Sequence, residues 1–332
     1  MAVAANSRDG FRHLALFYRG RSEYLQALRG LLLASRARGE AVLVAVPQRK
    51  AQLVRRELGD NSAHVTLVDM AELGRNPARI TPGFLTYTNE HRGQRVCCIS
   101  EPVWPGRTAE EMQEATRHEA LINMAFRGCP VTVACLYDST GLPGSVIADA
   151  ASTHPAIIKD RQQTASASYL APPDLPQGCN QALPRPPAHA EALGYSDDLR
   201  PVRSFVASMA RRAGLPPPRI PDLVIAISEL AANTLRHTNG GGSVRVWRTV
   251  EEIICEVADT GQITDPLAGQ RPRSDEPLGG NGLWLVNHVC DLVQARTGQA
   301  GTTTRLHMRL HQPEATHVSA AAGRGGPGWP LR

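Results

Sequence analysis

The stretch ISELAANTLRHTNGGG (227–242) decides how the second half of this chain is read. Ile227, Leu230, Ala231, Ala232 and Leu235 make it apolar enough for a buried helix. Glu229 and Asn233 interrupt that pattern four residues apart, just over one helical turn, so a carboxylate and a carboxamide project from one face. The helix then stops at a glycine run. Two polar groups aligned on an otherwise apolar helix raise the question of what they face.

On the upstream side, LRPVRSFVASMARRAG (199–214) repeats Leu199, Val202, Phe205, Val206 and Met209 at helical spacing, and PPPRIP ends it. Pro221 then occupies a favoured early position of the central helix. Downstream lie two alternating strands, SVRVWRTV (243–250) and EIICEVAD (252–259). GGNGLWLVNHVCDLVQAR (279–296) starts as a helix and runs on toward a strand, and TTTRLHMRL (302–310) alternates again. Helices followed by antiparallel strands predict a two-layer α+β sandwich over about residues 198–311.

The first half has a different rhythm. Apolar runs HLALFY (13–18), AVLVAVP (41–47), HVTLVD (64–69), RVCCIS (95–100) and PVTVACLYD (130–138) are separated by helix-like stretches at 23–38, 50–58, 77–91 and 108–128. Continuous apolar strands spaced by helices predict an α/β unit over 10–160, built on a mostly parallel sheet covered on both faces. Between the halves, 161–197 is rich in proline without a sustained period and reads as an exposed linker. The tail, 312–332, reads as disordered.

Composition narrows the partners. The chain has 332 residues, 42% hydrophobic and 20% charged, which suits two soluble domains rather than one core. Its 36 basic and 31 acidic residues leave a net charge of +5, too small and too mixed to point to nucleic acid. No apolar run reaches membrane-spanning length and the start has no leader-like apolar segment, so a cytoplasmic protein is expected. Seven cysteines without a CxxC spacing suggest reduced, mostly buried thiols rather than a disulfide framework or metal site.

Three short signals fall in order within the second half: the Glu229/Asn233 pair, Asp259-Thr260-Gly261 at a strand end, and Gly279-Gly280-Asn281-Gly282 opening a helix. Singly, each suits a turn, loop or solvated face. Together they supply different parts of nucleotide binding. A strand-end carboxylate accepts from an adenine amine, and glycines at a helix N-terminus bring free N–H groups to phosphates. Asn233 offers an oxygen to magnesium, and Glu229 could orient or deprotonate an attacking hydroxyl.

IAISELAANTLRH, EVADTG and GGNGLWLVNHVCD resemble the N box and the two glycine boxes of the histidine-kinase-like (Bergerat-fold) ATPases, nearest to the anti-sigma-factor serine kinases. The resemblance covers about residues 195–310. It implies ATP and Mg as cofactors, Glu229 as catalytic base and Asn233 as Mg ligand. It further implies Asp259 and Gly261 as adenine contacts, Gly280 and Gly282 as phosphate contacts, and a lid over Gln262 to Leu278. The lid has no glycine-rich pattern, and its Arg271 and Arg273 read as solvated charges.

The first half has no phosphate-binding loop. HLALFY, AVLVAVP, DMAELGRNPARI, EPVWPGR and RHEALINMAF resemble the MEDS (DcmR-like) sensory domain, a RecA-like fold. That resemblance implies a small-molecule signal, with His13, Trp104, Arg107, His118 and Glu119 as candidate pocket residues. Taken together, the two resemblances imply a sensor-regulated anti-sigma factor that phosphorylates a serine of an anti-sigma-factor antagonist, sequesters a sigma factor, or both. An ATP-dependent scaffold without phosphotransfer is the alternative. A sensor histidine kinase is a third reading, and it would need an acceptor histidine on a long helix, where this chain has only His189 among prolines. Homodimerisation stays open.

Overall fold

A computed structural model describes residues 10–59, 65–160, 162–171, 181–238, 240–271 and 281–311. Two sheets organise them. The first contains β1 (Arg12–Tyr18), β2 (Ala41–Val46), β3 (Val65–Asp69), β4 (Val96–Ser100), β5 (Val131–Asp138), β6 (Ala156–Lys159) and β7 (Gln162–Ala165). Their order is β3-β2-β4-β5-β1-β6-β7. Every neighbouring pair is parallel except β6–β7.

The apolar runs are continuous because this sheet is covered twice. Adjacent residues of β1 point to opposite cores. Ala15 joins Met70, Phe84, Ile122 and Val146 from α3 (Met70–Leu73), α4 (Ile80–Glu90), α5 (Ala109–Ala125) and α6 (Gly144–Thr153). Leu16 joins Leu28 and Val54 from α1 (Gly20–Ala37) and α2 (Gln48–Leu58). Helix α5 starts sharply because Thr108 and Glu111 form a reciprocal capping box.

The second sheet is antiparallel: β8 (Glu191–Tyr195), β9 (Gly242–Arg248), β10 (Glu252–Asp259), β11 (Leu292–Gly298) and β12 (Gly301–Arg309), in the order β11-β12-β10-β9-β8. One face packs Val244, Cys255 and Leu306 against α7 (Arg200–Ala213), α8 (Ile220–His237) and α9 (Gly282–Val289). The α+β sandwich expected from the sequence is therefore present beside the mostly parallel α/β sheet.

The other face of this second sheet is polar and buried. Arg305 pairs with Glu256 at 2.6 Å and donates to the Pro184 carbonyl at 2.6 Å, while Arg296 donates to the Gln181 carbonyl at 3.2 Å. The stretch expected to be an open linker is thus structured in part. It supplies edge strands β7 and β8, and its residues 181–184 lie along the sheet, because buried arginines need acceptors and the proline-rich backbone provides free carbonyls.

The two units meet along α5 and α9. Glu114 holds Arg296 at 2.5 Å and Glu111 holds Arg309 at 2.5 Å. Arg75 reaches Asp291 at 3.0 Å. Leu267, beyond β10, is buried in the first unit's core.

Candidate nucleotide site

Helix α8 begins with a proline and Asp222 in its first turn and ends with Arg236 and His237, charges that suit its dipole. Leu223, Ala226, Ile227, Leu230, Ala231 and Thr234 form its buried stripe. Glu229 and Asn233 flank that stripe and are half-buried. Gly282 opens α9 directly opposite: a Cβ there would stand 2.7 Å from Glu229 Oε2 and 3.5 Å from Asn233 Nδ2. Only glycine admits so close an approach. The acid and the amide therefore lie against a helix N-terminus, where unpaired N–H groups and the positive dipole end favour phosphate.

The Asp259 carboxylate, at the end of β10, is fixed from both sides. Thr234 Oγ1 donates to its Oδ2 at 2.6 Å, and the Gly261 amide donates to its Oδ1 at 2.8 Å. Tyr195 OH donates to the same Thr234 hydroxyl at 2.9 Å, and Thr302 Oγ1 donates to the Gly261 carbonyl at 2.8 Å. Gly261 is closely packed, since a Cβ would come within 2.9 Å of Thr238 Cγ2. These bonds hold Asp259 beside the turn of α8 that carries Asn233. Glu229, Asn233, Asp259, Gly261 and Gly282 are thereby gathered around one half of α8.

The Asn233 carboxamide offers a hard oxygen, the donor type that fits magnesium, half-buried one turn from the Glu229 carboxylate. Gly280 and Arg273 lie outside the described residues. Arg271 and His237 are exposed. The segment after Gly261 turns toward the first unit. Ile263 N donates to Thr297 Oγ1 at 3.3 Å, the Gly269 carbonyl accepts from Asn287 Nδ2 at 3.1 Å, and Leu267 is buried. A cavity lined by His118, Asp265, Leu283, Asn287 and Thr297 lies where this segment, α5 and α9 meet.

The five candidate residues of the first unit fall into two sets. His13, His118 and Glu119 are buried together: His13 Nε2 lies 3.0 Å and His118 Nε2 3.8 Å from the Glu119 carboxylate. Burial lowers both histidines to about 4. Burial also pushes the Glu119 carboxyl upward, but the His13 and His154 imidazoles beside it outweigh burial and hold the group well below its usual range. Trp104 and Arg107 form a separate pair, the guanidinium 3.9 Å from the ring centre and donating to the Gly74 carbonyl at 2.5 Å. Glu101 pairs with Lys50 at 2.5 Å and accepts from Tyr18 OH at 3.1 Å.

Several contributors escaped sequence reasoning. Thr234 stands beside Asn233 and could have been suspected, since a mid-helix threonine needs an acceptor. Tyr195, Lys50, Asn123, Cys135 and His154 carried no local signal.

Comparisons with known proteins match both units. The model of the MEDS domain, the methanogen/methylotroph DcmR sensory domain, matches residues 12–155, and that of the histidine kinase-like ATPase domain matches 195–308. The serine-protein kinase RsbW of Halalkalibacterium halodurans is 32% identical over 124 residues, which span 33% of this chain and 72% of that protein. The chain belongs to the family of this serine-protein kinase. A MEDS domain precedes its ATPase domain. Among solved structures, one ATPase domain overlays with a TM-score of 0.31 at 13% identity, covering 45% of this chain and 68% of that one, an overlap too slight to add to the assignment. No helix among the described residues is long and apolar enough to cross a membrane.

Proposed function

We propose that this protein is a cytoplasmic anti-sigma regulator that binds ATP and magnesium and transfers the γ-phosphoryl group to a serine of an anti-sigma-factor antagonist. The observation carrying this reading is the apposition of the Glu229 carboxylate to Gly282 at the start of α9. That apposition supports Glu229 as a base beside the phosphates. The serine oxygen forms a bond to the γ-phosphorus as the bond to the β-phosphate oxygen breaks. Glu229 takes the serine proton and ADP leaves. Asn233 would hold the magnesium ion, which neutralises phosphate charge when bound. Asp259, fixed by Thr234 and Gly261, would accept from the adenine amine, with Gly261 allowing the ring to approach.

The MEDS domain would act on this site through the segment after Gly261. Leu267 sits in its core, and Asn76 bonds to Asn287, which itself holds Gly269. A small-molecule signal that alters this contact would change how freely the segment closes over nucleotide. The histidine-kinase reading loses support. His189 is exposed in a turn closed by the Ala190 amide on the Pro187 carbonyl, with no helix to present it.

The test is incubation with γ-labelled ATP and antagonist proteins encoded in the native genome, with Glu229→Gln as control. Acid-stable label on an antagonist serine, lost in the variant, is expected. Nucleotide-dependent partner binding without label would leave a scaffold, and absence of nucleotide binding would overturn the reading.

A further inference from the structure

The MEDS domain buries a second constellation that the nucleotide site does not use. His13 on β1, Glu119 on α5, Cys135 on β5 and His154, which follows α6, place one ligand atom each within 4.8 Å of one another. All four are at most 2% exposed. Glu119 Oε2 is the hub: His13 Nε2 lies at 3.0 Å, His154 Nε2 at 3.1 Å and Cys135 Sγ at 3.1 Å. Cys135 Sγ and His13 Nε2 are 3.7 Å apart.

The hydrogen bonds around the cluster fix which nitrogens carry protons. Asn123 turns its Nδ2 toward the carbonyls of Thr153, Ala120 and Glu119, at 2.8, 3.2 and 3.4 Å, so its Oδ1 must face His13 Nδ1, 3.1 Å away. His13 Nδ1 is therefore a donor. His154 Nδ1 lies 2.7 Å from the Ala150 carbonyl and is a donor too. With a single proton on Nδ1, each imidazole aims the lone pair of Nε2 at a carboxylate oxygen whose donor in this cluster is the Cys135 thiol. His154 Nε2 and Glu119 Oε1 make no hydrogen bond. Acceptors facing one another in a dry interior are costly unless something positive lies among them.

We propose that His13, Glu119, Cys135 and His154 form a buried site for one divalent transition-metal ion of the zinc class. Nδ1 bonded to a carbonyl or amide oxygen with Nε2 free is the arrangement that orients a metal-ligating histidine. Two imidazoles, one carboxylate and one thiol are a mixed nitrogen, oxygen and sulfur set, suited to zinc or cobalt and unsuited to magnesium or calcium. Four donors also suffice for a closed tetrahedral shell. On binding, the Cys135 S–H bond breaks, sulfur keeps the electron pair to bind the metal, and the proton leaves to solvent. Thiolate and carboxylate then balance the ion's two charges. The metal would tie β1 and β5 to α5 and to the end of α6, and α5 is the helix whose Glu111 and Glu114 hold the ATPase domain.

The test uses the full chain stripped with chelator and titrated with Co²⁺. Expected are saturation at one ion per chain, about one proton released per ion, and a thiolate-to-cobalt charge-transfer band that Zn²⁺ abolishes. Cys135→Ser removes the band while Cys129→Ser keeps it. Asn123→Ala, which leaves all four donors in place, weakens binding about 10–100-fold. If Cys135→Ser fails to fold, zinc-edge X-ray absorption of the loaded unaltered chain decides: one sulfur with nitrogen and oxygen neighbours supports the site. No uptake by the unaltered chain, a band surviving in folded Cys135→Ser, or a shell without exactly one sulfur overturns it.

Discussion

Asn76 donates its side-chain amide to the backbone carbonyl of Asn287 at 2.9 Å, and Asn287 passes the contact on by donating to the Gly269 carbonyl at 3.1 Å. Two bonds thus join the MEDS domain, helix α9 and the segment that follows Gly261. Asn76 is fully buried, so its partner cannot be replaced by water without rearrangement. Asn76→Ala removes a bond of about 0.5–1.5 kcal/mol. Amide hydrogens of residues 263–270 should then exchange roughly 2–10-fold faster in the variant, as read by hydrogen-exchange mass spectrometry. Unchanged exchange would mean that this contact does not restrain the segment.

The Thr234 hydroxyl links α8 to Asp259 and also accepts from Tyr195. Thr234→Val keeps the shape but deletes the donor to a carboxylate, a bond of about 1.5–3 kcal/mol. Nucleotide affinity is expected to fall about tenfold or more by calorimetric titration, with folding retained. Equal affinity in a folded variant would remove Asp259 from the adenine position.

Asn233 and Leu230 separate pocket from core. Asn233 is half-buried and its Oδ1 accepts from an exposed Arg236, so Asn233→Ala should abolish the magnesium-dependent part of the ATP thermal shift with little change in the ligand-free midpoint. Leu230 is 6% exposed within the helix–sheet core, and Leu230→Ala should cost about 2–5 kcal/mol by denaturant unfolding. A normal magnesium-dependent shift in Asn233→Ala would end its assigned role.

Burial lowers the His288 pKa below its ordinary 6.5, Arg79 lowers it further, and the Trp284 carbonyl opposes this. A histidine depressed in the folded state binds fewer protons there than when unfolded. Its stabilisation is therefore complete above about pH 6.5 and is lost as pH falls below that value. Thermal midpoints should decline from pH 7 to 5, and His288→Gln should lessen that slope, to which His13 and His118 also contribute, without altering the plateau above neutrality. An unchanged slope would exclude His288 as a contributor.

Much of this protein was legible in its residues because the signals were local. A strand covered on both faces must be apolar throughout, so 95–100 and 130–138 reveal a parallel sheet. One turn of helix must align Glu229 with Asn233, and glycine must open a helix that approaches a carboxylate. Edge strands β7 and β8 escaped for the opposite reason. Residues 162–165 are wholly exposed and have no apolar face, so only their partner strand makes them strands.

The sequence by itself determined two domains of different architecture, the helix carrying the acid–amide pair and the glycine turns on either side of it. Periodicity and turn chemistry act over a few residues and are written in order along the chain. Tertiary structure alone decided that Thr234 clamps Asp259, that Glu114 receives Arg296 across the domain boundary, and that His13, Glu119, Cys135 and His154 converge. Those contacts join residues as many as 182 positions apart. Their energies depend on distance and desolvation, quantities that exist only once the chain has folded.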